Sequence, residues 1–489
     1  MCQLKIAFDN AAGPCADGVY TLENVPEDVG TVRLAWAKNT PDGAAPLEGF
    51  TPLRILEGKE IAAGYAVHKG LYIPENAEAL AAYANDETKP LAVFDLPTEK
   101  RQPPRGKPLF KAAFVSDMHF GFDGPRFVPQ HGLSQKYLEA ENVDFLVSSG
   151  DSSQWYGTIE KDYEWKMLRE WLDGFTKPFF LTVGNHDVPE KGIIESERWG
   201  MPAGFTFNTA NPGNYETFLK SWIAHSEETG LYPEKIVRDE RVNYYDTHIC
   251  GRHLIFLAIP RYENGKETYT FGDEQLAWLD EKLFEDENSG TPVFLFAHLP
   301  ANRTLGSLDH WASNQIRDDA ALKAVLARHP EAVYVSGHLH YNLDGDWYTA
   351  SDGKGLAASH INSGGLHDTN SLCDDGVELH SDFKTSHGVI VEEYDGYLAV
   401  RGVDFMTGNT ISRALYRVTY GAKPLVGSPR IEKNADGSLT AIAENAARFV
   451  WYTNGRQVPG ETLAAPERGA FTALRAYDAN GAFVSTVVK

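Results

Sequence analysis

The rhythm of apolar and polar positions changes twice along the 489-residue chain. Up to about residue 105 it is short and alternating. Thr31-Val32-Arg33-Leu34-Ala35-Trp36 alternates polar with apolar, as a half-buried strand does, and Pro41-Asp42-Gly43 follows as a turn. Short strands at this spacing predict a β-sandwich of immunoglobulin or fibronectin type over residues 1–105, closed by the polar, proline-bearing linker Thr98 to Gly106. From about 108, apolar runs of strand length alternate with amphipathic stretches. The runs are Phe110 to Ser116, Val143 to Ser149, Pro178 to Val183, Leu254 to Ile259, Val293 to Ala297 and Ala332 to Ser336. Tyr163 to Leu172 (with Trp165, Leu168, Trp171 and Leu172 on one face), Asp273 to Asp286 (Leu276, Leu279, Leu283) and Ala320 to His329 predict helices. This is the pattern of an α/β unit, closing with strands near Gly388 to Tyr394 and Tyr397 to Phe405 and reaching about residue 423. From 424 to 489 the short rhythm returns (Arg448 to Tyr452, Asn454-Gly455, Ala470 to Tyr477), predicting a small C-terminal β domain.

Composition narrows the function classes. Lys plus Arg number 45 against 68 Asp plus Glu, a net charge of −23, so the surface repels nucleic-acid backbones and anionic lipids, and no nucleic-acid binding is expected. No apolar run is long enough for a membrane-spanning helix. The start, Met1 to Asp9, lacks an apolar signal-peptide core, which favours a cytoplasmic location; an extracellular one would fit if a leader had been removed. Cys2, Cys15, Cys250 and Cys373 are too sparse for a disulfide framework and are expected to be free thiols, although Cys2 and Cys15 could pair in an oxidising compartment. The 16 histidines are uneven: His68 lies alone near the start, and all others fall between His119 and His387. If the chain has a metal or acid–base site, it is expected in the middle of the chain.

That chemistry gathers at strand ends. Asp117-Met118-His119, Gly150-Asp151, Gly184-Asn185-His186-Asp187, His298 and Gly337-His338-Leu339-His340 each follow an apolar run. In open α/β folds ligands collect at the carboxyl ends of strands, so these five ends are expected to converge. Carboxylate, imidazole and amide oxygen without thiolate suit Mn, Fe or Zn. One carboxylate, most naturally Asp151, can bridge two cations, which would clamp both oxygens of a displacement at phosphorus and supply hydroxide at neutral pH.

In order and spacing, these blocks resemble the calcineurin-like metallophosphoesterase superfamily, whose signature runs Asp-x-His, Gly-Asp, Gly-Asn-His-(Asp/Glu), a lone His and Gly-His-x-His. Phe271-Gly272-Asp273-Glu274-Gln275-Leu276 also resembles the helix start found between the third and fourth blocks. The resemblance covers roughly residues 108–405 and implies a four-layer αββα domain with two metal ions. It implies that Asp117, His119 and His340 hold one metal, that Asn185, His298 and His338 hold the other, and that Asp151 bridges them. His186 would face the substrate as a catalytic group, oriented by Asp187.

Two departures place the chain within the superfamily. Purple acid phosphatases carry Tyr three residues after the bridging Asp, where this chain has Gln154; Ser/Thr protein phosphatases carry Gly-Asp-x-Val-Asp-Arg-Gly, where it reads Gly150-Asp151-Ser152-Ser153-Gln154-Trp155-Tyr156. The match is closer to the cyclic-nucleotide phosphodiesterase type and related bacterial branches. The expected activity is hydrolysis of a small phosphomonoester or phosphodiester by metal-activated hydroxide. The competing reading is a non-catalytic binding or cell-surface protein that works through its β-sandwiches.

Arg261 and Arg303 are candidates to steady phosphate. Trp155, Tyr156, Trp199, Phe205, Phe207, Tyr215, Trp311 and Tyr341 lie near the motif loops. His131, His225, His248, His253 and His329 have no motif and are read as structural or surface residues. Of His310, His360, His367, His380 and His387, a few are expected to line the pocket.

Overall fold

The computed structural model describes residues 1–9, 13–57, 60–63, 65–66, 71–102, 104–123, 126–154, 162–173, 175, 177–187, 244–259, 261–263, 266–285, 291–302, 316–329, 331–345, 358–372, 379–419, 429–453, 456–466, 472–477, 479 and 483–487. The expected turn at Asn454-Gly455, and His225, His310, Arg303, Cys373, Trp155, Tyr156, Trp199, Phe205, Phe207, Tyr215 and Trp311, lie outside the described residues, as does the side chain of Arg261.

The middle of the chain builds two sheets. The first has six strands in the order Phe179–Leu181, Phe145–Ser148, Phe110–Val115, His387–Tyr394, Tyr397–Asp404 and Asn409–Thr419. Its first three strands run parallel and the last three form an antiparallel meander. The second has five strands in the order Tyr245–Ile249, Arg252–Phe256, Val293–Phe296, Ala332–Ser336 and Ser359–Asn362, the last four parallel. Val293–Phe296 and Ala332–Ser336 are buried throughout, as parallel strands covered on both faces must be.

The sheets pack face to face through aromatic rings. Phe114 meets Phe296 and Phe294 with centroids 5.0 and 5.6 Å apart, and Phe110 meets Phe294 at 6.0 Å. Leu138, Leu168, Trp171 and Leu172, from helices Pro129–Glu141 and Asp162–Leu172, join the same core. Helices Gly272–Glu285 and Asp319–Arg328 cover the outer face of the second sheet, where Leu276, Leu279, Leu283, Leu322 and Leu326 pack on Ile255 and Leu295. The result is the expected helix–sheet–sheet–helix stack.

The predicted helices form within a residue or two of their expected limits. Helix Gly272–Glu285 takes its N-terminal cap from outside its own segment: the Asp318 carboxylate accepts from the Phe271 and Gly272 N–H groups at 3.1 and 2.8 Å. Helix Pro129–Glu141 was not expected, because its apolar residues form no clear stripe. The strand Ser359–Asn362 also escaped notice, being Ser-His-Ile-Asn, and so did the long edge strand Asn409–Thr419.

Before residue 105, a three-stranded and a five-stranded sheet share one core, in which Leu4, Tyr20 and Leu22 of one meet Val32, Leu34, Trp36 and Leu80 of the other. This unit docks on the edge strand Asn409–Thr419: Thr51 N donates to Thr410 O (2.9 Å), Thr410 N to Gly49 O (2.7 Å) and Tyr72 N to Leu415 O (2.9 Å). After residue 429, a three-stranded and a four-stranded sheet bury Leu439, Phe449, Trp451 and Leu474 between them. No described helix is long and apolar enough to cross a membrane. Among the described cysteines, Cys2, Cys15 and Cys250 are free thiols, as expected.

Candidate metal centre

All five motif-bearing strand ends open onto one place, although they come from different sheets. Phe110–Val115, Phe145–Ser148 and Phe179–Leu181 belong to the first, Val293–Phe296 and Ala332–Ser336 to the second. The chain turns sharply there. Asp117, His119, Asp151, His338 and His340 all have positive φ, between 46° and 72°. Non-glycine residues enter this region at a cost of roughly 1–2 kcal/mol each, so such a concentration marks a site that the surrounding fold holds in place. Glycines make the close approaches possible. A Cβ on Gly337 would overlap Ser116 Oγ and press on Asp117 Oδ2, and one on Gly184 would strike the Asp151 carboxylate.

Two groups of ligand atoms face inward. In the first, His119 Nε2 and His340 Nε2 are 3.0 Å apart, with Asp117 Oδ1 3.2 Å from His340 Nε2 and Asp151 Oδ2 4.0 Å from His119 Nε2. In the second, His298 Nε2 lies 3.2 Å from His338 Nδ1, 3.1 Å from Asn185 Oδ1 and 3.1 Å from Asp151 Oδ2. Asp151 Oδ2 thus borders both. All seven residues expected from sequence meet here.

The donor set fits two cations. Backbone carbonyls accept only, so the 2.9 Å contact from His298 Nδ1 to Ser149 O puts that ring's proton on Nδ1 and turns the Nε2 lone pair inward. Two lone-pair nitrogens facing each other at 3.0–3.2 Å, beside carboxylates, repel unless a proton or a cation lies between them. Asp117 Oδ1 is buried and, although His340 Nε2 lies 3.2 Å away, accepts no hydrogen bond among the described residues, which suits an oxygen that faces a cation.

Electrostatics point the same way. Burial pushes the Asp151 carboxyl up, but the His298 and His186 charges and the His298 hydrogen bond outweigh it and hold it well below the usual carboxylate range. Burial likewise raises Asp117, and His340 brings it down. Burial, with the His298 charge beside it, pushes His338 down to about 3. Burial depresses His119 well below its ordinary value, helped by His186 and His340. His298 and His340 shift the other way. Against the pull of burial, Asp151 raises His298 to about 9, and Asp368 and Asp117 raise His340 well above the ordinary imidazole value.

His186 is the ring of this cluster most open to solvent, its side chain 23% exposed. Its backbone N–H donates to Asp151 Oδ1 at 2.8 Å, its Nδ1 donates to Gln154 O at 3.4 Å, and its Nε2 lies 3.9 Å from Asp151 Oδ2. Burial lowers its pKa, opposed by Asp151.

Asp187 departs from its expected role of orienting His186. One carboxylate oxygen accepts from Ser153 N (3.0 Å) and Ser153 Oγ (3.2 Å), the other from Gly184 N (2.9 Å). It therefore ties the Gly150-Asp151 turn to the Gly184-Asn185 turn. Burial and the Asp151 charge push Asp187 up to about 7, against two backbone N–H bonds that favour its charged form.

Sequence reading missed Asp368. Its Oδ1 accepts from His340 Nδ1 at 3.0 Å and from His367 Nδ1 at 3.1 Å, and His367 Nε2 reaches Asp123 Oδ2 at 3.1 Å. The signal was present: Gly364-Gly365-Leu366-His367-Asp368 follows the strand Ser359–Asn362, a sixth strand end bearing ligand-type residues. His131 is structural, as expected, its Nε2 donating to Met118 O at 2.7 Å within the Asp-x-His turn. His253 and His329 pair with Asp246 and Asp280 away from the site. His360 and His387 are buried in the scaffold, and His380 is exposed. Tyr341 is a buried core residue.

Residues 110–342 match a family model described as calcineurin-like phosphoesterase. Among solved structures, a dimetal phosphatase from Danio rerio is similar at 16% identity and TM-score 0.41, covering 64% of this chain and 100% of that one. A purple acid phosphatase from yellow lupin (Lupinus luteus) seeds is similar at 13% identity and TM-score 0.43, covering 84% and 73%. A protein described as the anchor in the inner membrane complex of Plasmodium is similar at 17% identity and TM-score 0.37, covering 64% and 88%. No curated protein matches this chain.

Proposed function

The chain carries a calcineurin-like phosphoesterase domain over residues 110–342, a metal-dependent phosphoric ester hydrolase by family, and from that premise we propose that it hydrolyses small phosphomonoesters or phosphodiesters at the Asp151 centre. The observation that carries this reading is the single oxygen, Asp151 Oδ2, bordering both ligand groups. Asp117, His119 and His340 would hold one metal, and Asn185, His298 and His338 the other, with Asp151 shared. Manganese, iron or zinc suits this oxygen and nitrogen set. When bound, such a pair supplies charge stabilisation for phosphoryl oxygens and water of lowered pKa.

The protein's own groups do the rest. Gln154 O holds the His186 ring by Nδ1, leaving Nε2 on the open side, where the ring, once protonated beside a bound phosphoryl anion, would give the Nε2 proton to the departing oxygen or hydrogen-bond a phosphoryl oxygen. Asp187 keeps the two turns that carry Asp151, Asn185 and His186 in register. We assign residues 108–423 to the catalytic unit, and residues 1–105 and 424–489 to flanking β units. A purely non-catalytic protein would have no physical reason to hold this convergent donor set in strained backbone.

The test is turnover of bis(p-nitrophenyl) phosphate and p-nitrophenyl phosphate by metal-stripped protein, with Mn²⁺, Fe²⁺ or Zn²⁺ restored. Metal-dependent release of nitrophenol is expected, and the ratio of the two rates assigns diester or monoester. Two bound ions with no release of either product would overturn the reading.

A further inference from the structure

Beside the centre lies an aromatic ledge. Phe122 and Phe383 are 44% and 52% exposed, and their rings lie 28° from parallel with centroids 6.0 Å apart. Phe127, 45% exposed, packs on His131 at 6.0 Å, and His131 lies 5.9 Å from His367, centroid to centroid. The ledge is continuous with the metal ligands through His367. That ring lies 5.0 Å from Phe122, 5.9 Å from Phe383 and 6.1 Å from His119, centroid to centroid. Nor is the ledge loosely held. Asp368 and Asp123 fix His367 by its two nitrogens, and Gln130 Nε2 donates to the backbone carbonyl of Phe383.

We infer that this ledge binds the organic group of the phosphoester, and that the group is a planar ring that is neutral or cationic. The inference rests on the hydrolase reading above. With phosphorus held at the Asp151 centre, an organic substituent that leaves across His367 meets Phe122 next, within the span of one small molecule. Half-exposed phenylalanines forgo burial that a ligand can restore, and flat faces favour offset or edge contacts with another ring over contacts with a saturated chain. Asp123, about half exposed beside His367, repels a second anionic group on the substituent.

The experiment is calorimetric binding of phenylphosphonate, cyclohexylphosphonate and methylphosphonate to the metal-loaded wild type and to the F122A/F383A double variant. Turnover of p-nitrophenyl phosphate and sedimentation of both proteins accompany it. Wild type is expected to bind phenylphosphonate about tenfold more tightly than methylphosphonate, with cyclohexylphosphonate close to methyl. The double variant is expected to bind all three alike, at the methylphosphonate affinity. Equal affinity for phenyl and methyl in the wild type overturns the inference, as does weakening of all three alike in the variant. Cyclohexyl binding as tight as phenyl overturns the planar-ring class. A wild type that self-associates where the variant does not, with unchanged ligand preference, assigns the ledge to a second copy of the chain instead. A wild type that turns over p-nitrophenyl phosphate but shows no aryl preference refutes this inference alone; absence of any turnover by wild type refutes the hydrolase reading beneath it.

Discussion

At the residue scale, the site is a balance between charges that a cation would neutralise. Asp151→Asn keeps the shape but removes the charge that both ligand groups border. Metal content by elemental analysis is expected to fall below two ions per chain, and turnover to fall at least about a thousandfold. Without metal, His298 at about 9 and His340 well above its ordinary value carry protons at pH 7. Metal loading must therefore expel protons, and affinity is expected to rise with pH through about 9, the value at which His298 loses its proton. Calorimetry at pH 7 in two buffers of different ionisation enthalpy reads the number released; a buffer-independent heat would contradict it. Asp368 acts through another residue, holding His340 by Nδ1. Asp368→Ala is expected to weaken metal binding by about 10–100-fold, with Asp368→Glu recovering part of it, as measured by metal titration.

At the element scale, strand ends supply the ligands and buried polar pairs keep the strands in register. His360, in the strand Ser359–Asn362, bonds Ser336 Oγ of its neighbour at 2.8 Å, and burial pushes its pKa down to about 3. Burial likewise pushes His387 down to about 4. Both are neutral in the fold and take up protons on unfolding below their unfolded value of about 6.5. A histidine with depressed folded pKa contributes stability that is present above 6.5 and lost as pH falls through the folded value. The melting temperature is therefore expected to drop steadily from pH 6.5 toward 4, read by scanning calorimetry. Arg252, entering the second sheet, makes a two-pronged ion pair at 2.5 Å with fully buried Glu393 of the first. Arg252→Ala removes that two-pronged partner from a buried carboxylate, and a loss of about 3–5 kcal/mol in chemical denaturation is expected.

At the scale of the whole molecule, the flanking β unit closes an edge. Strand Asn409–Thr419 would otherwise present unpaired backbone to solvent, and the segments around Thr51 and Tyr72 pair with it. Ser412 Oγ also donates to Thr51 O at 2.5 Å. A chain beginning at residue 106 is expected to self-associate through this edge, visible as a shift to larger species in size-exclusion chromatography. A monomeric truncation would show that the edge needs no cover.

The sequence by itself determined the local chemistry. Apolar runs marked the strands, and the polar residues just past their ends, from Asp117 to His340, marked the candidate metal ligands, because a strand's carboxyl end is where side chains and turns become free to point at a ligand. It determined less where an element lacks a stripe of its own, as in Pro129–Glu141, or is nearly all polar, as in Ser359–Asn362; tertiary packing stabilises these, and no periodicity announces them. Only the tertiary structure decided that the five motif-bearing ends come from two facing sheets, that Asp187 braces turns while Gln154 O holds His186, that Asp368 anchors His340, and that Phe122 and Phe383 lie against His367 beside His119. Those are contacts between segments far apart in the chain. Their geometry is set by how the sheets pack, which the spacing of residues along one strand does not encode.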